Sequence, residues 1–252
     1  MKILITFAVD AEFAPWRKLR HFSESATAGV KTYATKIANA ELTVLLTGIG
    51  GRKAWAEATK LIWDGNMDIC ISSGLAGALR AEHRLGDILA AREVHATNWN
   101  KVIPSDAALL KLASGAGAKI VDAFYSADRV LVRSEDKQQL SAKADAVDME
   151  SGDILLEAVA FGAKVIAIRG ISDAAEENLP LDFNRVNTES GDISIGRILL
   201  EAARHPWSIP ALVKFGFQSH RAAAKLARFL DAYVQTFAQT TLPKKAEEVS
   251  AR

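Results

Sequence analysis

Short apolar segments that recur between helical patterns are the feature that most restricts the fold of this chain. Several segments are apolar at consecutive positions, which is typical of strands covered on both faces, as in KILITFAV, MDICIS and AKVIAI. Helical patterns separate them, such as ESGDILLEAVAFG, whose apolar side chains share one face and which Gly162 is expected to end. This alternation predicts an α/β sandwich around a largely parallel or mixed sheet.

One segment departs from the alternation of strands and helices. YATKIANAELTVLL has two strand-like halves that meet at Asn39, so we expect an antiparallel hairpin and therefore a mixed sheet. With 49% hydrophobic residues, the chain can bury a large core, and we predict one domain over residues 1–240 that includes C-terminal helices. Residues 241–252 are mostly polar, contain a proline near their start, and are expected to form a disordered tail.

Composition excludes several functional classes. The formal net charge of +1 gives no reason to expect nucleic acid as a partner. A single cysteine, Cys70, excludes a disulfide framework, and the five histidines fall in no metal-ligand spacing, so we expect no metal. The N-terminal apolar run is short and is followed at once by Asp10 and Glu12, and no run approaches the roughly 20 residues that cross a bilayer. We therefore predict a cytoplasmic protein.

Polar residues follow the ends of four predicted strands. A glycine-rich turn after a strand can present main-chain N–H groups to a small polar ligand. Because ligands gather where strand ends converge in α/β sheets, we expect the four segments to line one cleft. The segments are FAVDAEF with Glu12, SSGLAGAL with Ser73 and Gly74, VDMES with Glu150, and RGISD with Asp173.

Each of these motifs alone also has a purely structural interpretation. A turn such as TGIGGRK commonly just connects a strand to a helix, and neither it nor SSGLAG completes a GxGxxG pattern. An aspartate after a strand is commonly a helix N-cap. A function can therefore be inferred only from the combination and order of the motifs.

That combination resembles the purine nucleoside phosphorylase and nucleosidase superfamily, and in particular its methylthioadenosine/S-adenosylhomocysteine nucleosidase branch. The similarity extends from about residue 2 to about residue 200, and the pair DMES and RGISD is its most specific part. It implies a three-layer α/β/α sandwich with a mixed, partly barrel-like central sheet. It also implies a homo-oligomer, with a dimer favoured, that cleaves the N-glycosidic bond of a small-molecule purine nucleoside without an organic cofactor or metal.

The resemblance assigns roles to residues of DMES and RGISD. Asp173 falls where the family places the acid that protonates N7 of the leaving purine, and an aspartate there favours a 6-amino purine. Glu150 falls where the family holds the ribose 2′ and 3′ hydroxyls, with Met149 packing against the sugar. Ser172 and Arg169 are expected to line the same pocket, and we count Arg169 among the catalytic residues.

Two further segments are similar to binding segments of the family. Val130 and Leu131, in SADRVLV, match the segment that packs on the base, and the main chain of Leu131 is expected to bond it. Ser73 falls close to the family's serine on the ribose or nucleophile side, and Gly74 follows it.

Glu12 favours hydrolysis over phosphorolysis. Phosphorylases bind inorganic phosphate in a cationic pocket, usually with two arginines, whereas DAEFAPWRK places a carboxylate that matches the nucleosidase residue removing a proton from water. Phosphorolysis remains the alternative, with inorganic phosphate as co-substrate, because Arg17, Arg52 and Arg169 could form a phosphate site. A second alternative is a non-catalytic purine nucleoside-binding protein, which would need neither a proton donor nor a base.

Residues 204–230 contain five Arg or Lys residues and no Asp or Glu, with aromatic and aliphatic side chains interleaved. One interpretation is a pair of helices that packs over the sheet or a neighbouring subunit. The other is a basic amphipathic helical extension, over residues 204–232, that contacts a membrane surface or an apolar substrate tail. This extension resembles that of the hopanoid-associated phosphorylases, which implies a lipid-linked adenosine as an alternative substrate.

Overall fold

A computed structural model describes residues 1–27, 30–49, 52–185 and 206–239. The strands are β1 (Lys2–Phe7), β2 (Ser23–Thr27), β3 (Val30–Ile37), β4 (Ala40–Leu46), β5 (Ile69–Ala78), β6 (Ile88–Ala96), β7 (Lys101–Pro104), β8 (Lys119–Ser126), β9 (Ala146–Asp148) and β10 (Lys164–Asp173). The helices are α1 (Asp10–Leu19), α2 (Arg52–Gly65), α3 (Ala107–Gly115), α4 (Ser134–Leu140), α5 (Ser151–Ala160) and α6 (Ile209–Gln239). Short 3₁₀ turns cover Thr97–Trp99, Phe183–Arg185 and Pro206–Ser208.

The strands form one mixed sheet that partly closes on itself. Their order is β10-β6-β8-β9-β5-β1-β4-β3-β2, with β7 beside β6. Strand β10 also pairs with β5, which joins five strands into a barrel-like ring. The predicted hairpin is confirmed, because β3 and β4 pair in antiparallel register up to Ile37 and Ala40, with Asn39 in the turn.

Side chains of the central strands alternate between two apolar layers, as the strand period requires. In β1, Ile3 and Ile5 pack into a cluster that also contains core residues of α1, α3 and α6. Leu4, between them, packs into the opposite cluster with core residues of α2 and α5. The predicted three-layer α/β/α arrangement is therefore confirmed.

The segment from DMES to RGISD forms a strand end, helix α5 and strand β10. The carboxylate of Asp148 accepts the main-chain N–H and the hydroxyl of Ser151, which satisfies donors at the start of α5. The helix ends at Ala160, and Gly162 adopts a positive φ of 72°, as a C-terminal glycine commonly does. Strand β10 then runs through the core to Asp173.

Residues 209–239 form one continuous helix of 31 residues, where one interpretation of the sequence expected a pair of helices. Pro210 lies in its first turn, where a missing N–H breaks no helical hydrogen bond. The C-terminal half packs on the sheet, and Asp231 accepts bonds from Trp16 and Arg20 of the α1 region. None of the helices in the described part of the chain is both long and apolar enough to cross a membrane. The predicted disordered tail lies outside the described residues.

Candidate active site

A cavity of about 390 Å³ opens at the carboxyl ends of β1, β5, β9 and β10, with helix α6 on one side. Its volume is in the range of small-molecule sites, and its lining is mainly apolar with a few polar groups. Most of the site residues predicted from the sequence line it, namely Glu12, Val130, Leu131, Met149, Glu150, Ser172 and Asp173. The structure therefore brings the four strand-end motifs to one cleft.

Glu12 is a buried carboxylate in the first turn of α1. Its Oε1 accepts the N–H of Leu75 at 2.9 Å, and its Oε2 accepts the N–H of Ala8 at 2.9 Å. Burial raises the pKa of Glu12, opposed by these main-chain bonds and by the charge of Arg169. A carboxylate held this way is oriented by main-chain dipoles and has an elevated affinity for a proton, which suits a general base.

Asp173 is also buried, but its partners are side chains. Its Oδ1 accepts the hydroxyl of Ser172 at 2.7 Å, and its Oδ2 accepts the ammonium of Lys137 at 2.5 Å. Lys137 is 1% exposed and lines the same cavity. This lysine was not predicted from the sequence, because SEDKQQL is polar at nearly every position and gives no sign of which side chain turns inward.

Two glycines of β5 allow the two carboxylates to approach the strand. A Cβ on Gly74, whose φ is +146°, would lie 3.0 Å from Oε2 of Glu12. A Cβ on Gly77 would lie 2.8 Å from Oδ2 of Asp173. Three residues of an extended strand span about 10 Å. The two carboxylates therefore contact β5 at glycines that lie about 10 Å apart. Gly74 itself is not among the residues that line the cavity.

The main chain of Glu150 is held by a buried network of hydrogen bonds and an ion pair. Asp148 accepts the main-chain N–H of Glu150 at 3.1 Å, and its other oxygen pairs with Arg169 at 3.1 Å. Arg169 is fully buried, donates to the hydroxyl of Ser72 at 2.9 Å, and is not among the cavity-lining residues. The structure thus places Arg169 behind the site, where it holds the turn that carries Glu150, and does not place it against the ligand space as the sequence analysis expected.

The expected base-binding segment lies on the cavity wall. Both main-chain groups of Val130 are bonded by the side chain of Asn184, which donates to its carbonyl at 3.0 Å and accepts its N–H at 2.9 Å. Leu131 follows and faces the cavity. Phe183 and Phe215 also line the cavity, and their rings pack in a tilted arrangement with centroids 5.5 Å apart. Ser73 is buried outside the lining, and its hydroxyl has no hydrogen-bond partner in the described part of the chain.

The arginines considered for a phosphate site are mostly committed elsewhere. Arg17 pairs with Asp10 at 2.5 Å, and Arg169 pairs with Asp148. The side chain of Arg52 lies outside the described residues. Among the described residues, the arginine that lines the cavity is Arg129, on the side of Val130 and Leu131. This distribution leaves Glu12 without an adjacent arginine that faces the ligand space in the part of the chain that is described.

Comparisons with known proteins agree with this architecture. The model of the Phosphorylase superfamily matches residues 2–235. A 5′-methylthioadenosine/S-adenosylhomocysteine nucleosidase of Staphylococcus epidermidis is 30% identical over 190 residues, which cover 66% of this chain and 83% of the relative. The solved nucleosidase of Campylobacter jejuni has a TM-score of 0.70 at 20% identity, covering 94% of this chain and 99% of that one. A futalosine hydrolase mutant of Helicobacter pylori has a TM-score of 0.69 at 22% identity, with the same coverage. At these identities, the two structures establish the fold alone.

Proposed function

The chain belongs to the phosphorylase superfamily, and from that premise we propose that it hydrolyses the N-glycosidic bond of a 5′-substituted, adenosine-type nucleoside and releases adenine. It is an enzyme of the nucleosidase or nucleoside phosphorylase type. The observation that carries the proposal is the pair of buried carboxylates, Glu12 and Asp173, in one small cavity with Glu150. The similarity to nucleosidases named for 5′-methylthioadenosine and S-adenosylhomocysteine supports the substrate class.

Each carboxylate has a distinct task in this reaction. Asp173 delivers a proton to N7, because an adenine anion is a poor leaving group. Glu150 accepts hydrogen bonds from the ribose hydroxyls, and its negative charge stabilises the oxocarbenium-like sugar as the C1′–N9 bond breaks. Glu12 takes a proton from the water that attacks C1′. Met149 packs on the sugar, and the main chain of Leu131 bonds the base.

Water is favoured over phosphate by the surroundings of Glu12. Phosphate binding calls for cations that face the ligand, and arginine is the usual choice because of its bidentate geometry. Arg17 and Arg169 are paired with Asp10 and Asp148 instead, and the carboxylate of Glu12 would repel an anion. No metal or organic cofactor takes part in the proposed steps.

The test is adenine release from methylthioadenosine, followed by chromatography with and without inorganic phosphate. Release at equal rates, with a free sugar as product and no loss on addition of a chelator, supports hydrolysis. Release only with phosphate, with a sugar 1-phosphate as product, would assign phosphorolysis. Binding of adenine with no turnover of any adenosine derivative would revive the non-catalytic alternative.

A second candidate substrate is an adenosine that carries a large apolar 5′ group, such as a lipid. It is favoured by the exposed apolar side chains beside the cavity, where Trp207 in the turn before α6 is 75% exposed and Phe217 of α6 is 69% exposed. Arg221 and Lys225 are exposed further along the helix, as expected for an element that lies on an anionic membrane surface. Co-sedimentation with anionic vesicles that is lost in Phe217→Ser, together with cleavage of 5′-alkylated adenosines, would support this candidate. Efficient cleavage of methylthioadenosine alone would exclude it.

We also propose a homodimer. A second exposed apolar group lies on the opposite layer, where Trp63 is 67% exposed and packs on the ring of Phe161 at 5.0 Å. Val102 is 56% exposed on β7, which contacts α5. Light scattering coupled to size exclusion tests the assembly, and dissociation by Trp63→Glu would assign this surface to it.

A further inference from the structure

Lys137 is a buried cation in the cavity wall whose partners are all on or after strand β10. Its ammonium donates to Oδ2 of Asp173 at 2.5 Å. It also donates to the main-chain carbonyls of Ala174 and Glu177, both at 2.9 Å. An ammonium has three protons, so these three bonds use its full donor capacity.

This geometry restricts the function of Lys137 to an action through Asp173. With its protons committed, the ammonium offers no free donor to a bound base. It fixes both the carboxylate and the residues that follow β10, at positions 174–177. Burial of a lysine is costly unless it is well paired, so the pair is expected to be rigid.

Both carboxylate oxygens of Asp173 accept a hydrogen bond from a side-chain donor. Oδ1 accepts the Ser172 hydroxyl and Oδ2 accepts an ammonium, so the carboxylate has a donor on each oxygen. An acid that protonates a leaving base needs a proton to deliver, and a neighbouring donor can replace that proton as it leaves. An ammonium is a much stronger acid than an aliphatic hydroxyl, so of these two donors Lys137 is the one that can give up its proton.

We propose that Lys137 is a positioning residue that fixes Asp173 and supplies the proton that Asp173 passes to N7, an inference that rests on the proposed function. As the C1′–N9 bond breaks, its electron pair goes to the base. Asp173 gives a proton to N7 and receives one from Nζ of Lys137, so the base leaves neutral and Lys137 becomes an amine. Glu12 holds the proton taken from water. After product release, exchange with solvent removes that proton from Glu12 and returns one to Lys137.

Other titratable groups surround the pair from several elements. The cavity is lined by Glu12 from α1, Arg129 before α4, Asp148 at the end of β9, Glu150 after it, and His220 from α6. Arg169 on β10 and the Glu177–Lys214 pair are charged groups outside the lining. All of these groups are shared by the variants compared below. A difference between variants in pH dependence therefore reports on the lysine that is changed.

The test is the pH dependence of kcat for Lys137→Met against the wild type, on methylthioadenosine between pH 5.5 and pH 8.5. In the variant no ammonium is bonded to Asp173, so the proton for N7 has to come from solvent. Solvent protons become scarcer as the pH rises, whereas the wild type keeps the proton donor of Lys137 in contact with Asp173. We expect the ratio of wild-type to variant kcat to grow from under about 10 at the acid end to over about 100 at the alkaline end.

A loss that is equal at every pH would overturn the proton supply and leave Lys137 with a purely structural role. Unchanged activity would overturn both parts of the proposal. Lys137→Gln is the second variant, since its amide can still bond the carbonyls of Ala174 and Glu177. This variant replaces Lys137→Met in the test if circular dichroism shows that Lys137→Met does not fold. A wild-type pH profile in Lys137→Gln would equally overturn the proposal.

Lys119→Met is the matched control. Lys119 also bonds an aspartate, Oδ2 of Asp87 at 2.6 Å, but this pair lies outside the cavity. Its pH profile is expected to follow the wild type. A wild type that releases no adenine would overturn the proposed function itself, whereas an active wild type with a pH-independent loss in Lys137→Met overturns only the role of Lys137.

Discussion

The two carboxylates of the cavity are both buried, yet they are held in opposite ways. Glu12 accepts main-chain N–H groups of Leu75 and Ala8, and burial is the main cause that raises its pKa. Asp173 is bonded directly by the ammonium of Lys137. Main-chain donors orient a carboxylate without supplying a transferable proton, whereas an ammonium orients it and can supply one. Residue type alone therefore does not set the role, since the partner of each carboxylate decides whether it suits a base or an acid.

The largest effect is expected from Asp173→Asn. The amide cannot donate a proton as an acid does, and it leaves Lys137 buried without a counter-charge. We expect kcat for methylthioadenosine to fall by about 10² to 10⁴. Turnover close to wild type in a folded variant would show that the acid lies elsewhere and would remove the comparison.

Glu150→Gln is expected to lower kcat and to raise KM. The charged bonds to the ribose hydroxyls are lost from the bound substrate, and the negative charge near the developing cation is lost from the transition state. We expect kcat/KM to fall by about 10². A change in KM alone would mean that Glu150 only binds, and the electrostatic part of its role would be wrong.

Gly77→Ala tests the space around Asp173 without changing its chemistry. The new Cβ would meet Oδ2 at 2.8 Å and displace the carboxylate from its bond to Lys137. A displacement of about 1 Å at a catalytic group costs about 100-fold. Gly115→Ala is the control, because nothing lies within 4 Å of its new Cβ. Equal activity in both variants would contradict the placement of Asp173 against β5.

The smallest effect concerns the acid limb of the pH profile. The pKa of Glu12 is raised above its usual value of 4.5, so its protonated form persists to higher pH than for an ordinary glutamate. A base must be ionised to act, so kcat/KM is expected to decline as the pH falls through that raised pKa. The profile is measured with wild type under conditions where circular dichroism shows an intact fold. A limb at or below pH 4.5 would argue against Glu12 as the base.

The sequence predicted the fold and the carboxylates of the site better than it predicted the positions of the buried cations around them. Strand ends that carry Glu12, Glu150 and Asp173 are readable because apolar runs stop at charged residues, and the structure brings them to one cavity. The position of Arg169 could not be predicted, because its place behind the cavity is set by contacts of the folded chain with the buried side chains of Asp148 and Ser72.

Lys137 and helix α6 show the same limit. Lys137 lies in a short polar helix whose pattern would equally suit a solvated face, and only packing against β10 buries it. The sequence of α6 contains Pro210 and Gly216, yet the structure forms one helix through both, where one interpretation expected a pair. The proline falls in the first turn, and the helix continues through the glycine because its C-terminal half is fixed on the sheet.

The most direct measurement compares Glu12→Gln with Asp173→Asn on p-nitrophenyl 5-methylthioriboside. Its leaving group departs as the stable p-nitrophenolate anion and needs no acid. We expect Asp173→Asn to hydrolyse this substrate within about 10-fold of the wild type, and Glu12→Gln to lose about 10² or more, as with the natural base. Equal losses in both variants would contradict the division of the cavity into a base at Glu12 and an acid at Asp173.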